Sequence, residues 1–221
     1  MTEKHDLGNL SFDQLVSDWR NLSGSRNELT ISELAMKLAD SGERGVNFLK
    51  KQLSTRSKLK KTYAFLALRD KGFREDEIQS ALLKFAMSSD PSLQVLAIAT
   101  ATNCQDFSLP ESLIDRCINS SDPWVSAWSS MYSAQKCTQN LNEKLNCLRG
   151  FLNSANPRLR ELSCDKVGDI LGELDQGCDL YQLAISDLES MLADSDPDVV
   201  HAAVDELELE SGFGPRTSVT N

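Results

Sequence analysis

One short motif recurs along the chain and restricts the possible folds more than any other feature. A Ser or Ala, an Asp or Asn, a Pro, any residue and a Leu or Val follow one another at 89–93, 121–125, 155–159 and 195–199. The copies lie 32, 34 and 40 residues apart, and a weaker copy without proline occupies 55–59. Repeats of this length are typical of solenoids that stack small supersecondary units.

Each copy predicts the first turn of a helix. An Asp or Asn side chain can accept hydrogen bonds from free N–H groups there, and proline at the first helical position loses no bond. Runs with apolar residues three and four apart precede the copies at 78–87, 109–118, 141–152 and 180–192, and similar runs follow them. Each unit is therefore predicted to be a helix pair, which must stack on neighbouring pairs to bury its apolar face.

These helix starts resemble those of short HEAT repeats, through Asp-Pro-x-Val or Asp-Pro-x-Leu and the alanine-rich turn after it, as in 199–203. The resemblance covers about residues 44–210. It implies an all-α, armadillo-type fold, a right-handed superhelical solenoid of about five antiparallel helix pairs whose second helices line a concave surface.

The chain departs from the HEAT pattern at one position. HEAT repeats usually carry a basic residue directly after the Val or Leu of the motif. Lys60 and Arg160 match this pattern, whereas Gln94, Ser126 and Val200 replace the basic residue in the other repeats. The polar ladder that such residues make between repeats is therefore in question.

The ends of the chain differ from the repeats. Ser11 with Gln14 and Thr30 with Glu33 fit the capping-box pattern, which predicts helices near 12–22 and 31–40. We interpret residues 1–43 as N-terminal capping helices, 44–210 as the repeat array and 211–221 as a flexible tail.

The charge is unevenly distributed along the chain. The formal net charge is −10, which does not favour binding to nucleic acid or to an anionic membrane. Residues 44–84 nevertheless carry a net +7, and residues 161–221 a net −13. The basic stretch could be a solvated face, a site for an acidic protein or, less favoured, a site for nucleic acid.

Catalytic and metal-binding patterns are missing from the sequence, so we predict no enzyme and no cofactor. His5 and His201 are the only histidines, the six cysteines include no C-x-x-C pair, and a helix cap accounts for the acidic stretch 194–198 better than a calcium loop does. No run of about 18 to 20 apolar residues could span a membrane, and residues 1–6 lack a signal-peptide pattern. We therefore expect a monomeric, cytoplasmic protein with reduced thiols.

The leading prediction for function is a non-enzymatic protein–protein interaction module, a scaffold, adaptor or antagonist that binds its partner on its concave or charged surfaces. One alternative is an immunity-type protein that neutralises a basic toxin or nuclease through the acidic C-terminal third. Another is a HEAT-like enzyme or lyase with a substrate in the groove, for example a DNA glycosylase that uses Asp122 and nearby tryptophans. The candidate partner-binding residues are Trp124, Lys58, Lys60, Lys61, Arg158, Arg160, Asp198 and His201.

The two tryptophans of the second repeat motif have different predicted roles. Trp124 is aligned with Ser92, Arg158 and Asp198, which are polar, so it is expected to be an exposed anchor or else to pack over the neighbouring turn. Trp128 is aligned with apolar residues and is expected in the core.

Overall fold

The structure, a computed structural model, describes residues 10–22, 28–73, 76–104, 106–138 and 140–210, and within these ranges it contains helices and no strand. The helices are α1 (Phe12–Asn21), α2 (Glu28–Asp40), α3 (Glu43–Gln52), α4 (Lys58–Asp70), α5 (Asp76–Ala86), α6 (Pro91–Asn103), α7 (Glu111–Ile118), α8 (Pro123–Cys137), α9 (Leu141–Leu152), α10 (Pro157–Leu171), α11 (Asp179–Met191) and α12 (Pro197–Glu210). Helices α3 to α12 follow one another along the chain as five pairs of a first and a second helix, which confirms the predicted all-α helical repeat. The tail predicted at 211–221 lies outside the described residues.

The chain divides into two compact units, an N-terminal unit that ends at Phe85 and a C-terminal unit that begins at Ala86. In the N-terminal unit, α2 packs against α1, α3 and α4. In the C-terminal unit the second helices α6, α8, α10 and α12 pack side by side in chain order, and each contacts the next.

The recurring motif forms the helix starts that the sequence predicts. Asp90, Asp122, Asn156 and Asp196 each accept a hydrogen bond at 3.0 Å from the backbone N–H two residues further on. Proline follows each of these caps as the first helical residue. In the weaker copy Ser57 caps α4, where its Oγ accepts from the N–H of Lys60 at 3.4 Å.

A second polar residue stabilises each of these turns, two positions before the cap. Ser88, Ser120, Ser154 and Asp194 accept the backbone N–H of the capping residue at 3.1, 3.2, 3.1 and 2.8 Å. Each turn of the C-terminal unit that precedes a second helix therefore carries two consecutive side-chain acceptors. The N–H of the cap and the first free N–H of the helix are thus both satisfied.

One of the two predicted capping boxes is present. The Ser11 Oγ accepts from the N–H of Gln14 at 3.4 Å, and the Gln14 side chain accepts from the N–H of Ser11 at 2.8 Å. The box predicted at Thr30 and Glu33 is wrong, because α2 already begins at Glu28 and Thr30 lies within it. A capping pattern inside a continuous helix has no free N–H groups to cap.

The crossing of α2 and α3 depends on a glycine. A Cβ atom added to Gly45 would lie 1.6 Å from the backbone oxygen of Leu38, so only glycine permits this approach. The buried indole of Trp19 packs edge-on against Phe48 in the same region, with the ring centroids 6.3 Å apart.

In two repeats the position directly after the motif is not basic, yet it bonds the first helix of the same pair. Gln94 donates its side-chain amide to the carbonyl of Ala86 at 3.5 Å, and the Ser126 hydroxyl donates to the carbonyl of Ile118 at 2.7 Å. Both carbonyls belong to the last residue of the preceding first helix. In these two repeats, hydrogen bonds within the pair take the place of the polar ladder that the sequence put in question.

The core of the C-terminal unit lies between its first and second helices. Leu145 and Leu148 of α9, Val167 of α10, Leu188 of α11 and Val199 of α12 are among its buried side chains. The prediction that Trp128 belongs to this core is wrong: it is half-buried and packs against the margin of the cluster. The indole is larger than the Leu96, Leu162 and Ala202 side chains at the aligned positions, and part of it remains accessible.

Candidate interaction surface

The second helices of the C-terminal unit bring three of the predicted partner-binding residues into contact. The Arg158 guanidinium lies over the Trp124 ring, 5.2 Å from its centroid. The same guanidinium donates to Glu161 at 2.6 Å and to Asp198 at 2.5 Å. Trp124, Arg158 and Asp198 belong to α8, α10 and α12, so this chain of contacts connects three successive helix pairs.

Trp124 is held in place by its backbone as well as by its ring. Asp122 accepts the N–H groups of Trp124 and Val125 at 3.0 and 2.9 Å, and Asn156 donates its amide to the carbonyl of Pro123 at 2.9 Å. The indole is half-buried against the core cluster. Of the two predicted environments for Trp124, the structure therefore shows packing against neighbouring residues, and the side chain remains partly accessible.

His201 lies on the same side of α12 as Asp198, three residues further on. It is exposed, and its Nε2 lies 3.6 Å from Oδ2 of Asp205. The predicted position of His201 at the surface is confirmed.

Arg160 occupies a different environment from the other predicted binding residues. Its side chain is 13% exposed, and it bonds Asp194, whose side chain is 8% exposed, through two nitrogens at 2.7 and 2.8 Å. A third nitrogen donates to the Ser154 carbonyl at 2.7 Å. These contacts use the guanidinium to join two helix pairs, so Arg160 offers little surface to a partner.

The three predicted lysines lie in the N-terminal unit and differ in environment. The Lys60 ammonium donates to the carbonyl of Arg20, near the end of α1, at 3.2 Å, and burial lowers its pKa. The Lys61 ammonium lies 5.8 Å from the centroid of the Phe85 ring. Lys58 is exposed at the start of α4. Lys60 thus links the capping helices to the first repeat.

Sequence reasoning identified the acidic C-terminal third but missed how its carboxylates group on α10 and α12. Glu161, Asp165 and Asp169 follow one another at intervals of four along α10, and Asp205 and Glu206 lie on the adjacent α12. Asp169 pairs with Lys166 at 2.7 Å. Within the described residues no Lys or Arg forms an ion pair with Asp165 or Glu206. The four-residue spacing on α10 was the sequence signal for this group.

Glu206 lies directly against the backbone of α10. A Cβ atom on Gly168 would come within 1.8 Å of Glu206 Oε2, so glycine makes room for this side chain. Burial, followed by the charges of Asp165 and Asp169, raises the pKa of Glu206 to about 7. Two adjacent helices therefore hold carboxylates close together at some electrostatic cost.

Asp165 shares this environment although its side chain reaches solvent. Surrounding protein partly desolvates it, and Glu161 adds a like charge, so its pKa rises to about 6. We name Trp124, Trp128, Arg158, Glu161, Asp165, Asp169, Asp198, His201, Asp205 and Glu206 together the second-helix face.

The environments of the cysteines bear on the enzyme alternative. Desolvation raises the pKa of Cys117, and desolvation with nearby carboxylates raises the pKa of Cys164 to about 12. Neither is therefore an activated thiolate. Cys147 is half-buried and lines a cleft of about 120 Å³ together with Lys144 and Lys166.

The acidic stretch before α12 forms a helix cap, as predicted. Asp194 accepts the N–H of Asp196 and pairs with Arg160, and Asp196 accepts the N–H of Asp198. In the part of the chain that the structure describes, no three His, Cys, Asp or Glu side chains are arranged to hold a metal ion. None of the described helices has the length and apolar composition needed to cross a bilayer.

Comparisons with known proteins show no family for this chain. No model of a known protein family matches the sequence, and no curated protein matches it. Two solved structures of engineered proteins are similar. One is 18% identical, with 93% of this chain and 98% of that chain covered and a TM-score of 0.43. The other is 17% identical, with 89% of this chain and 57% of that chain covered and a TM-score of 0.45.

Proposed function

We propose that this chain is a non-enzymatic, HEAT-like interaction module that binds a basic protein partner on its second-helix face. It would act as a scaffold, adaptor or antagonist, as a monomer and in a reducing compartment such as the cytoplasm, where its thiols stay reduced.

The observation that carries the proposal is the pair of crowded carboxylates, Asp165 and Glu206. Glu206 lies against the α10 backbone at Gly168, and within the described residues neither carboxylate pairs with a Lys or Arg. Their raised pKa values agree with this crowding. A Lys or Arg side chain of a partner would supply that compensation. Carboxylates on a protein surface also speed the approach of a basic partner.

The tryptophans at the α8 side of the face support the same proposal. Trp124 and Trp128 are half-buried and one helical turn apart, and Trp124 contacts Arg158 of α10. Aromatic residues that are fixed by packing contribute much of the binding energy at protein interfaces. Trp124 is fixed by the Arg158 contact and by the cap at Asp122.

The experiment is affinity capture from native lysate by the intact protein, followed by mass spectrometry at low and high salt. The test variant is the double substitution Asp165→Asn and Glu206→Gln, which removes two charges and keeps side-chain size. The matched control is Glu111→Gln with Asp115→Asn, two exposed carboxylates on α7. We expect a basic partner that is lost at high salt and in the test variant, and retained by the control. A partner that both double variants retain equally would refute the proposal.

An antagonist that neutralises a basic toxin or nuclease is the more specific form of this proposal. It is supported by the same excess of carboxylates on α10 and α12. A captured partner with nuclease or toxin activity that the protein inhibits in a purified assay would establish it, and a partner without such activity would exclude it.

The enzyme alternative is tested by thiol titration. If Cys147, beside Lys144 and Lys166, labels rapidly at neutral pH with a low pKa, the cleft that it lines becomes a candidate active site. Uniformly slow labelling of all thiols agrees with an interaction module.

A further inference from the structure

The far side of the last helix pair exposes apolar residues at positions that are buried one repeat earlier. Helix α11 aligns with α9 at an offset of 40 residues, which places Ile185 with Leu145 and Leu192 with Leu152. Leu145 is 0% and Leu152 4% exposed. Ile185 is half-buried, and Leu192 is 43% exposed.

The same offset relates α12 to α10. It aligns Val200 with Arg160 and Val204 with Cys164. Arg160 bonds Asp194 of the following pair, and Cys164 is fully buried. Val200 and Val204 are partly exposed and lie outside the core cluster. We name Ile185, Leu192, Val200 and Val204 the end strip. Ile185 also packs partly against the core cluster, and Leu192 is its most exposed member.

The end strip has the geometry of a helix-binding surface. At one of the four aligned positions Arg160 of α10 bonds Asp194 of the following pair, and at the other three Leu145, Leu152 and Cys164 are buried. Stacked helix pairs in solenoids bury such surfaces against the next pair. The element that fits the end strip is therefore a helix with an apolar ridge.

The charges around the end strip identify the chemistry of that helix. Residues 167–210 contain no Lys or Arg. Glu189 lies on α11 one turn from both Ile185 and Leu192 in sequence, and Glu208 follows Val204 by one turn on α12. A second copy of the same face would bring carboxylate against carboxylate, which disfavours self-association through this surface.

We propose that the end strip binds an amphipathic helix of a partner protein whose apolar ridge is flanked by Lys and Arg. The apolar contacts provide the affinity, and the flanking cations select this partner over an acidic helix of the same shape. The end strip adjoins the second-helix face along α12, so variants on each surface are needed to tell the two proposals apart.

The test uses two synthetic amphipathic helices of about 18 residues, long enough for helix formation on binding. Both carry leucines at the same helical spacing, one flanked by lysines and the other by glutamates. Their binding to the intact protein is measured by calorimetry. We expect micromolar binding of the lysine peptide and at least tenfold weaker binding of the glutamate peptide.

Two protein variants locate the binding surface. The double substitution Leu192→Ser and Val204→Ser should weaken binding of the lysine peptide at least about tenfold. Thermal stability should change little, because both side chains are already partly exposed. The matched control is Met87→Ser, an apolar residue that is 62% exposed at the end of α5, and it should bind within twofold of the parent.

Several outcomes would overturn the proposal. Equal binding of the two peptides would remove the role of charge, and unchanged binding by the Leu192 and Val204 variant would place the peptide elsewhere. Loss of binding in the Asp165→Asn and Glu206→Gln variant would assign the peptide to the second-helix face.

Discussion

Arg160 and Asp194 form a two-pronged ion pair that joins the fourth helix pair to the fifth, with nitrogen–oxygen distances of 2.7 and 2.8 Å. The Arg160 hydrogen bond, with support from backbone N–H groups, lowers the pKa of Asp194. The pair therefore contributes to stability at neutral pH, and this contribution is lost as the pH falls through the lowered pKa.

Removing Arg160 should destabilise the C-terminal unit strongly. Arg160→Met leaves the Asp194 carboxylate without its cation in a site that is 8% exposed, so we expect a loss of about 3 kcal/mol. Lys71→Met removes half of the more exposed pair with Asp40 and should cost less than about 1 kcal/mol. Urea denaturation measures both, and equal losses would show that the Arg160 pair is no stronger than a surface pair.

Glu206 should make the protein more stable at mildly acidic pH than at basic pH. Its folded-state pKa of about 7 lies above the ordinary value near 4.3, so the folded protein takes up a proton as the pH falls through about 7, and the unfolded chain does so only near 4.3. Stability contributed by Glu206 is therefore present at low pH and lost as the pH rises through 7.

Glu206→Gln tests this directly. At pH 8 it should raise the free energy of unfolding by about 1 kcal/mol, a value reduced for solvent screening of a half-exposed group. At pH 4 the difference should vanish. Glu33→Gln, an exposed control on α2, should change stability little at either pH. A variant effect that does not depend on pH would contradict the raised pKa.

Two glycines should respond to alanine with opposite signs. Gly45→Ala would push a Cβ atom into the backbone oxygen of Leu38, so we expect a loss of about 3 kcal/mol or more. Gly150→Ala places its Cβ in open space on α9 and should stabilise the protein by about 0.5 to 1 kcal/mol through helix propensity. Thermal melts of both variants measure the change in stability. Destabilisation by Gly150→Ala would contradict the open space beside Gly150.

Trp124→Ala should lower stability as well as remove a candidate binding residue. The indole packs on the core and stacks with Arg158, so we expect a loss of about 2 kcal/mol. Trp124→Phe keeps an aromatic face and should recover at least half of that loss. If Trp124→Ala melts like the parent, the Arg158 contact is not formed in solution. Binding assays at this position should therefore use the phenylalanine variant.

The sequence predicts the helix pairs because their starts depend on local chemistry. An Asp or Asn followed by Pro can accept hydrogen bonds from the free N–H groups of a helix's first turn. The caps at Asp90, Asp122, Asn156 and Asp196 can therefore be predicted from the sequence. The pattern at Thr30 fails because a capping sequence does not reveal whether a helix has already begun before it.

The candidate surface is harder to predict because it depends on contacts between repeats. The stack of Trp124 with Arg158 joins residues 34 positions apart, and the bond of Arg158 to Asp198 joins residues 40 apart. Arg160 and Arg158 are two positions apart in sequence, yet Arg160 is enclosed and Arg158 lies at the surface. This difference depends on how α10 packs against α12, which the sequence does not show.

The hydrogen bonds from Gln94 to Ala86 and from Ser126 to Ile118 lie wholly within single helix pairs. Because both partners of each hydrogen bond belong to the same pair, duplicating or deleting one pair would leave the hydrogen bonds of the other turns intact. The number of pairs could therefore change during evolution or by protein engineering. Only the side chains that contact each other across the new junction would need to be substituted.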